Sequence, residues 1–332
     1  VRRFVNEILY AGLVPYIQGS PGVGKSAIVS GVANELNVQM IDHRLSTSAP
    51  EDLSGLPRFN EMGQAVFAPF AELFPLTSTP LPKDKDGWLL FLDELPSAPK
   101  GVIAAAYKLI LDKKVGQADL HQNVAIVAAG NLATDRAITN PIGTAMQSRL
   151  VHLEMVHNFE EWLADVALPQ NYDSRIIAYL SHSPSKLMDF RPDHNEKTFC
   201  CPRTWEFMNK LCKDKEVTDD RTTMYGGTIT SAVAVDFVQF TKVFQTLVTV
   251  KEILLAPDTC RLPSTSNEKW ATISHIMEKV TNDNFDKLAI YADRFTLDFR
   301  VLFYRSAMVR HPHLRQHPAF SRSMAALSRY LS

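Results

Sequence analysis

The feature that most limits what this chain can fold into is Gly19-Ser20-Pro21-Gly22-Val23-Gly24-Lys25-Ser26, a full match to G-x-x-x-x-G-K-[ST]. Such a loop works only where a strand enters it and a helix leaves it, because the helix start must point its positive end at whatever the loop holds. Both flanks are present. Val14-Pro15-Tyr16-Ile17 reads as a brief apolar strand, and a helix is expected from the loop to about Leu36. In this setting the glycines let backbone N–H groups approach phosphate oxygens, Lys25 reaches the β- and γ-phosphates, and the Ser26 hydroxyl coordinates Mg²⁺. Residues 19–26 are therefore the expected cradle for ATP or ADP.

A phosphate loop also needs a carboxylate at the end of a neighbouring buried strand. Trp88-Leu89-Leu90-Phe91-Leu92 is a continuous apolar run, the pattern of a strand covered on both faces, and Asp93-Glu94 follows it. Asp93 is expected to hold Mg²⁺ and Glu94 to polarise the attacking water. The alternative is that the two acids simply cap the next helix. Residues 124–129 form another buried strand ending at Gly130-Asn131, where the Asn131 amide either helps orient the water or serves as a turn residue. Further strands are expected at 38–41 and 151–154, and helices at 2–12 (ended by Gly12) and 100–111. Strands alternating with helices predict a mostly parallel sheet covered on both sides. Between them, 46–87 is rich in Pro, Gly and polar residues, and 58–67 predicts a hairpin turning at Met62-Gly63.

Beyond residue 155 the pattern becomes helical, with helices expected at 160–168, 174–182, 203–213, 268–281, 285–292, 297–309 and 318–331. Val233, Phe237, Phe240, Phe244 and Leu247 fall on one face of another helix. The change of class marks a domain boundary. No internal repeat or low-complexity tract is visible.

Charge and cysteine usage narrow the function. Lys plus Arg number 35 against 36 Asp plus Glu, a formal charge of -1 that does not favour a protein living by contact with nucleic-acid backbones. From Arg294 onward, however, there are seven arginines and one acid, Asp298. Either they meet nucleic acid or they pair with acids of the same or the next subunit, and their spacing and lack of companion lysines favour pairing. No apolar stretch approaches the ~20 residues of a membrane span. Cys200, Cys201, Cys212 and Cys260 form no C-x-x-C pair, so reduced thiols in a cytoplasmic protein are expected, with zinc binding alongside His194 the alternative. The chain opens at Val1, so residues upstream are expected, and no leader pattern is visible at this end.

Gly19–Ser26, Leu89–Glu94, Ala128–Asn131 and Gln147–Leu150 occur in the order and spacing of AAA+ ATPases. Within that group the chain resembles the MoxR-type, dynein-related branch, through Glu51–Pro57, Asp93–Pro99, Cys201–Trp205 and Phe299–Phe303. In one departure, Leu95-Pro96-Ser97 stands where many MoxR proteins have Ile-Asn-Arg, which leaves the nucleotide chemistry intact. The resemblance implies an α/β P-loop AAA+ core, a parallel sheet flanked by helices, with an α-helical lid and a helical C-terminal extension. The implied spans are 1–155 for the nucleotide-binding part, with a hairpin insert at about 45–87, then 156–262 for the lid and 263–332 for the extension.

The same resemblance makes Asn131 the sensor-1 asparagine and Arg149 the arginine finger that reaches a neighbouring subunit's nucleotide, with Arg136 a rival. Arg203 becomes the sensor-2 arginine, acting on the nucleotide of its own subunit. A permanently charged, rigid fork of donors suits both arginine roles. The hairpin is implied to face a pore or a partner, with Phe59 and Phe67 either touching that partner or packing the hairpin down. The implied whole is an ATP-hydrolysing homo-oligomeric ring, expected to be a hexamer, that remodels or matures a protein client, often one carrying a von-Willebrand-A-type domain. Two other classes stay open, a nucleic-acid loader or translocase and a slow nucleotide-gated scaffold.

Overall fold

Continuous apolar runs become the centre of a parallel sheet, as burial on both faces requires. The computed structural model describes residues 1–70, 72–135, 140–243 and 247–331, without the side chains of 324–326 and 328–331. Arg136, Phe244 and the Arg329 side chain therefore lie outside the described residues. The chain forms two units, Val1–Val156 with Arg191–Asp193, and His157–Phe190 with His194–Ser332.

In chain order the strands of the first unit are β1 (Val14–Gln18), β2 (Gln39–Arg44), β3 (Leu56–Phe59), β4 (Ala65–Ala68), β5 (Trp88–Asp93), β6 (Lys114–Val115), β7 (Ala118–Asp119), β8 (Val124–Gly130) and β9 (Leu150–Glu154). Its helices are α1 (Arg2–Tyr10), α2 (Lys25–Glu35), α3 (Pro50–Ser54), α4 (Lys100–Asp112) and α5 (Thr144–Gln147). Five strands make one all-parallel sheet in the order β2-β5-β8-β1-β9. Alternation along β5 fills both faces. Leu89 and Phe91 pack with Val5 of α1 and with Val29 and Val32 of α2. Leu90 and Leu92 pack with Val102, Ala106 and Leu109 of α4. Burying each such side chain contributes about 1.5–3 kcal/mol. The α/β P-loop core expected from the sequence, a parallel sheet flanked by helices, is what the chain forms.

Register then decides what meets at the sheet's carboxyl edge. Gln18 lies opposite Gly130, and Arg44 lies opposite Asp93. The loop after β1, the acid ending β5 and the residue after β8 are thus delivered to the same edge, where open α/β sheets place their ligands.

The expected hairpin is present as β3–β4, turning through Gly63 at φ +71°. The Asn60 side chain fixes the turn by accepting from the Met62 and Gln64 N–H groups at 3.0 and 2.9 Å. The Asn60 N–H donates to Gln64 O at 2.9 Å, so Phe59–Ala65 and Pro57–Phe67 fall in the non-hydrogen-bonded pairs, where side chains come closest. Pro57, Phe59, Ala65 and Phe67 share one face. Phe59 is 77% exposed and Met62 78%, so neither packs the hairpin down.

The second unit contains α6 (Phe159–Trp162), running on as a π-helical turn, then α7 (Ser174–His182), α8 (Pro202–Cys212), α9 (Thr222–Ile229) and α10 (Ser231–Lys242). It continues with α11 (Val250–Leu255), α12 (Ser266–Glu278), α13 (Phe285–Ala292), α14 (Leu297–Arg310) and α15 (Pro318–Leu331). One apolar core runs through these helices, with Tyr179, Trp205 and Phe237 meeting ring to ring near its centre. Val233, Phe237 and Phe240 are buried on α10 as expected, but the helix ends at Lys242 and Leu247 lies beyond it in a bend. No described helix is long and apolar enough to cross a membrane.

The arginine-rich end is largely occupied within its own unit. Arg300 pairs with Asp293, Arg305 with Glu160 and Arg322 with Asp286. Arg294 donates to Pro257 O and Cys260 O, and Arg310 to Tyr172 O. Burial pushes the Cys200 and Cys212 thiols up to about 12, and Cys200 Sγ donates to Ile229 O. These thiols are poor nucleophiles and poor metal ligands near neutral pH.

Candidate active site

The loop between β1 and α2 has the shape its glycines allow. Gly22 and Gly24 take φ of +77° and +108°, a region L side chains rarely enter, and Gly24 is the N-cap of α2. A Cβ on Gly19 would stand 2.7 Å from Met155 O, so β9's end leaves no room for a larger residue. Lys25 is only 9% exposed, and its Nζ donates to Gly19 O at 2.7 Å, Ser20 O at 3.2 Å and Asn131 Oδ1 at 2.9 Å. Ser26, next in the first turn of α2, is partly exposed.

Asp93 closes β5 with 7% exposure. Burial raises its pKa and the charges of Glu94 and Asp42 add to this, while the Glu94 N–H, 2.8 Å from Oδ1, and the Lys25 charge pull it back. A buried carboxylate in that position gains from a nearby cation. Glu94 sits in the left-handed region at φ +57°, which costs a non-glycine residue about 1 kcal/mol and turns its side chain sharply off the strand. Its Oε2 accepts from Ser46 Oγ, and its Oε1 lies 3.9 Å from Arg44 Nε. Neither Ser46 nor Arg44 stood out in the sequence. Finding them needs the knowledge that β2 borders β5, which no local motif supplies.

Asn131 follows β8 with its amide oxygen on Lys25, so it is part of the cluster and not merely a turn residue. Gly130 before it is required: an added Cβ would lie 2.4 Å from Pro96 Cδ and 2.8 Å from the Tyr16 hydroxyl. Burial pushes that hydroxyl up to about 12. Arg149 is elsewhere on the same unit. It is exposed between α5 and β9, donating to Ala145 O at 2.7 Å and Ser148 Oγ at 3.3 Å, with its guanidinium 5.3 Å from the Tyr107 ring centre. Arg203 belongs to the helical unit, as the second residue of α8, and is exposed without a hydrogen bond or ion pair to any described residue.

The structure thus gathers residues 19–26, Asp93, Glu94 and Asn131 at one sheet edge, while Arg149 stands outside that cluster and Arg203 belongs to the other unit. The gathered residues fit a polyanion with a divalent cation: a glycine cradle at a helix start, a buried ammonium on neutral oxygens, and a buried carboxylate. Among the described residues no group of three or more His, Cys, Asp or Glu could hold a metal by itself. Mg²⁺ commonly takes one or two carboxylates and completes its shell with water and phosphate oxygens.

No protein-family model matches the sequence, and no curated protein matches it. Among solved structures the chain is similar to a Cytophaga hutchinsonii protein described as a "putative ATPase", at 13% identity over 100% of this chain and 89% of that one, with a TM-score of 0.37. It is also similar to two mutant forms of RuvB from Thermotoga maritima, both at 16% identity. One is covered over 86% of this chain and 83% of that one at a TM-score of 0.38, the other over 74% and 73% at 0.36. Likeness this distant extends to no activity and no residue role.

Proposed function

We propose that the chain binds ATP with Mg²⁺ and hydrolyses it as one subunit of an AAA+ ring. The observation that carries this is the buried Lys25 ammonium, held by Gly19 O, Ser20 O and Asn131 Oδ1 inside a glycine loop beside Asp93. Carbonyl and amide oxygens on an ammonium exchange readily for phosphate oxygens, which offer charge as well as lone pairs. Asp93 and the Ser26 hydroxyl would hold Mg²⁺, which supplies charge neutralisation on the phosphates. Glu94 orients and deprotonates the water once it leaves Ser46 and Arg44, and Asn131 keeps Lys25 aligned meanwhile.

Arg149 supports assembly as a requirement. Its guanidinium is exposed and holds only neutral groups, so it remains available to a phosphate on a neighbouring copy. An arginine supplied in trans is typically worth ~10³–10⁵ in rate. Arg203, exposed at the start of α8, would serve the nucleotide of its own chain. The finer reading is of a MoxR-type hexamer whose turnover remodels or matures a protein client, one carrying a von-Willebrand-A-type domain, met through the exposed face of β3–β4. The occupied arginines of the C-terminal helices do not favour a nucleic-acid role. The engagement of Glu94 by Ser46 favours, as a second reading, a scaffold that binds ATP and turns it over slowly.

The deciding measurement is phosphate release per subunit across a dilution series that takes the protein from assembled to monomeric. The motor requires turnover that rises with assembly and is lost in Glu94→Gln and in Arg149→Ala. Turnover indifferent to both substitutions would sink it, and ATP-dependent assembly with negligible turnover would leave the scaffold.

A further inference from the structure

We infer that His152 is a positioning residue that ties Arg149 to the strand feeding the chain's own phosphate loop; the inference rests on the trans role given to Arg149. His152 lies on β9 directly opposite Tyr16 of β1, and its ring meets the Tyr16 ring edge-on with centroids 5.4 Å apart. Its two nitrogens face opposite ways. Nε2 lies 3.0 Å from Gln147 O, in the last residue of α5 and two residues before Arg149. A carbonyl only accepts, so Nε2 carries the proton and donates it there. On the other side, Nδ1 faces Gln18 Oε1 at 3.5 Å, acceptor to acceptor when Nε2 holds the proton of a neutral ring, so what ties His152 to β1 is the Tyr16 ring and the strand pairing.

The short α5 is pinned to the core by Met146, and the His152 contact fixes its exposed end. The helix has four residues, and Arg149 N–H is bonded to Met146 O as the chain turns into β9. Arg149 is anchored to this same turn through Ala145 O. The donation from His152 to Gln147 O therefore sets the angle at which the turn, and Arg149 with it, leaves the sheet. Because Gln18 bonds through its backbone carbonyl to Met155 N–H at 2.7 Å, beside the paired strands, β1 and β9 move together when the phosphate loop shifts. Filling of one subunit's loop is transmitted through the β1–β9 pairing and His152 to the arginine offered to the next subunit.

The test compares His152→Ala, His152→Gln and Arg149→Ala in the assembled protein, each alone and each mixed with an equal amount of Glu94→Gln. Loss of position should lower turnover of His152→Ala roughly tenfold with the KM for ATP unchanged, since misplacement by a fraction of an ångström is enough. His152→Gln keeps an N–H donor at the Nε2 position and should stay within about twofold of the parent. Glu94→Gln cannot turn over but still presents its own Arg149, so mixing should restore His152→Ala and Arg149→Ala alike. Restoration of Arg149→Ala but not of His152→Ala would overturn the inference alone. Restoration of neither would bring down the trans role of Arg149 and this inference with it. A raised KM in His152→Ala would also overturn it, by placing the defect in the subunit's own loop.

Discussion

Within one unit, the carboxyl edge of the sheet and the β3–β4 hairpin make opposite use of burial. At the edge the charged groups are hidden: Lys25 and Asp93 lie below the surface and are answered by backbone oxygens, an amide and each other. At the hairpin the apolar groups are displayed, with Phe59, Met62 and Phe67 in solvent. Each arrangement is unfavourable for the isolated chain, since buried charge loses hydration and exposed aromatic surface orders water. Chemistry explains the first, because a low-dielectric setting strengthens every contact made to a phosphate. The docking role proposed for the hairpin would account for the second, because an aromatic face left bare is stabilised when something covers it.

Four variants, carrying five substitutions, separate the two regions. The largest effect is expected from Lys25→Ala, which should lower phosphate release by about 10²–10³-fold or more while leaving the hairpin untouched. Next is Gly55→Ala at the foot of β3, where φ is +84° and an added Cβ would lie 2.5 Å from Ala68 O. It should cost roughly 1–3 kcal/mol in urea unfolding and open residues 56–68 to protease, with nucleotide binding retained. If the stability loss came with lost nucleotide binding, the two regions would not be separate.

The pair Phe59→Ser and Phe67→Ser should cost only about 1 kcal/mol of stability, because Phe59 is 77% exposed and Phe67 47%. Retention of the client on immobilised, ATP-loaded Glu94→Gln protein should nonetheless fall about tenfold. Unchanged retention would move the docking face elsewhere. Smallest of all, Ser46→Ala frees Glu94 from one partner and should raise basal turnover about two- to threefold, at the scale of one hydrogen bond. A fall instead would mean that Ser46 holds Glu94 in its working position.

Much of the edge was legible because its signals are local. The loop motif, the apolar runs at 88–92 and 124–129, and the acids after the first run each declare themselves within eight residues. The hairpin was legible for the same reason, from Gly63 and the alternation around it. What was not legible depends on pairing between distant segments. Arg44 and Ser46 meet Glu94 only because β2 is β5's neighbour, and His152 meets Tyr16 only because β9 borders β1. The first helix runs Arg2–Tyr10 and Gly12, expected to end it, follows at φ +75°, whereas the face expected to reach Leu247 ends with α10 at Lys242. At 160–168 the segment is helical but widens into a π turn over Leu163–Ala167.

Pro57 gives the hairpin a property of its own. A two-stranded ribbon with an aromatic face and an open margin is a template for stacking one copy on another. Residue 57 falls in a non-hydrogen-bonded pair, so its nitrogen faces the outer margin of β3, where a stacking strand would look for a donor. Proline has none to offer. The aromatic face can thus stay bare while the margin refuses to extend into a fibril.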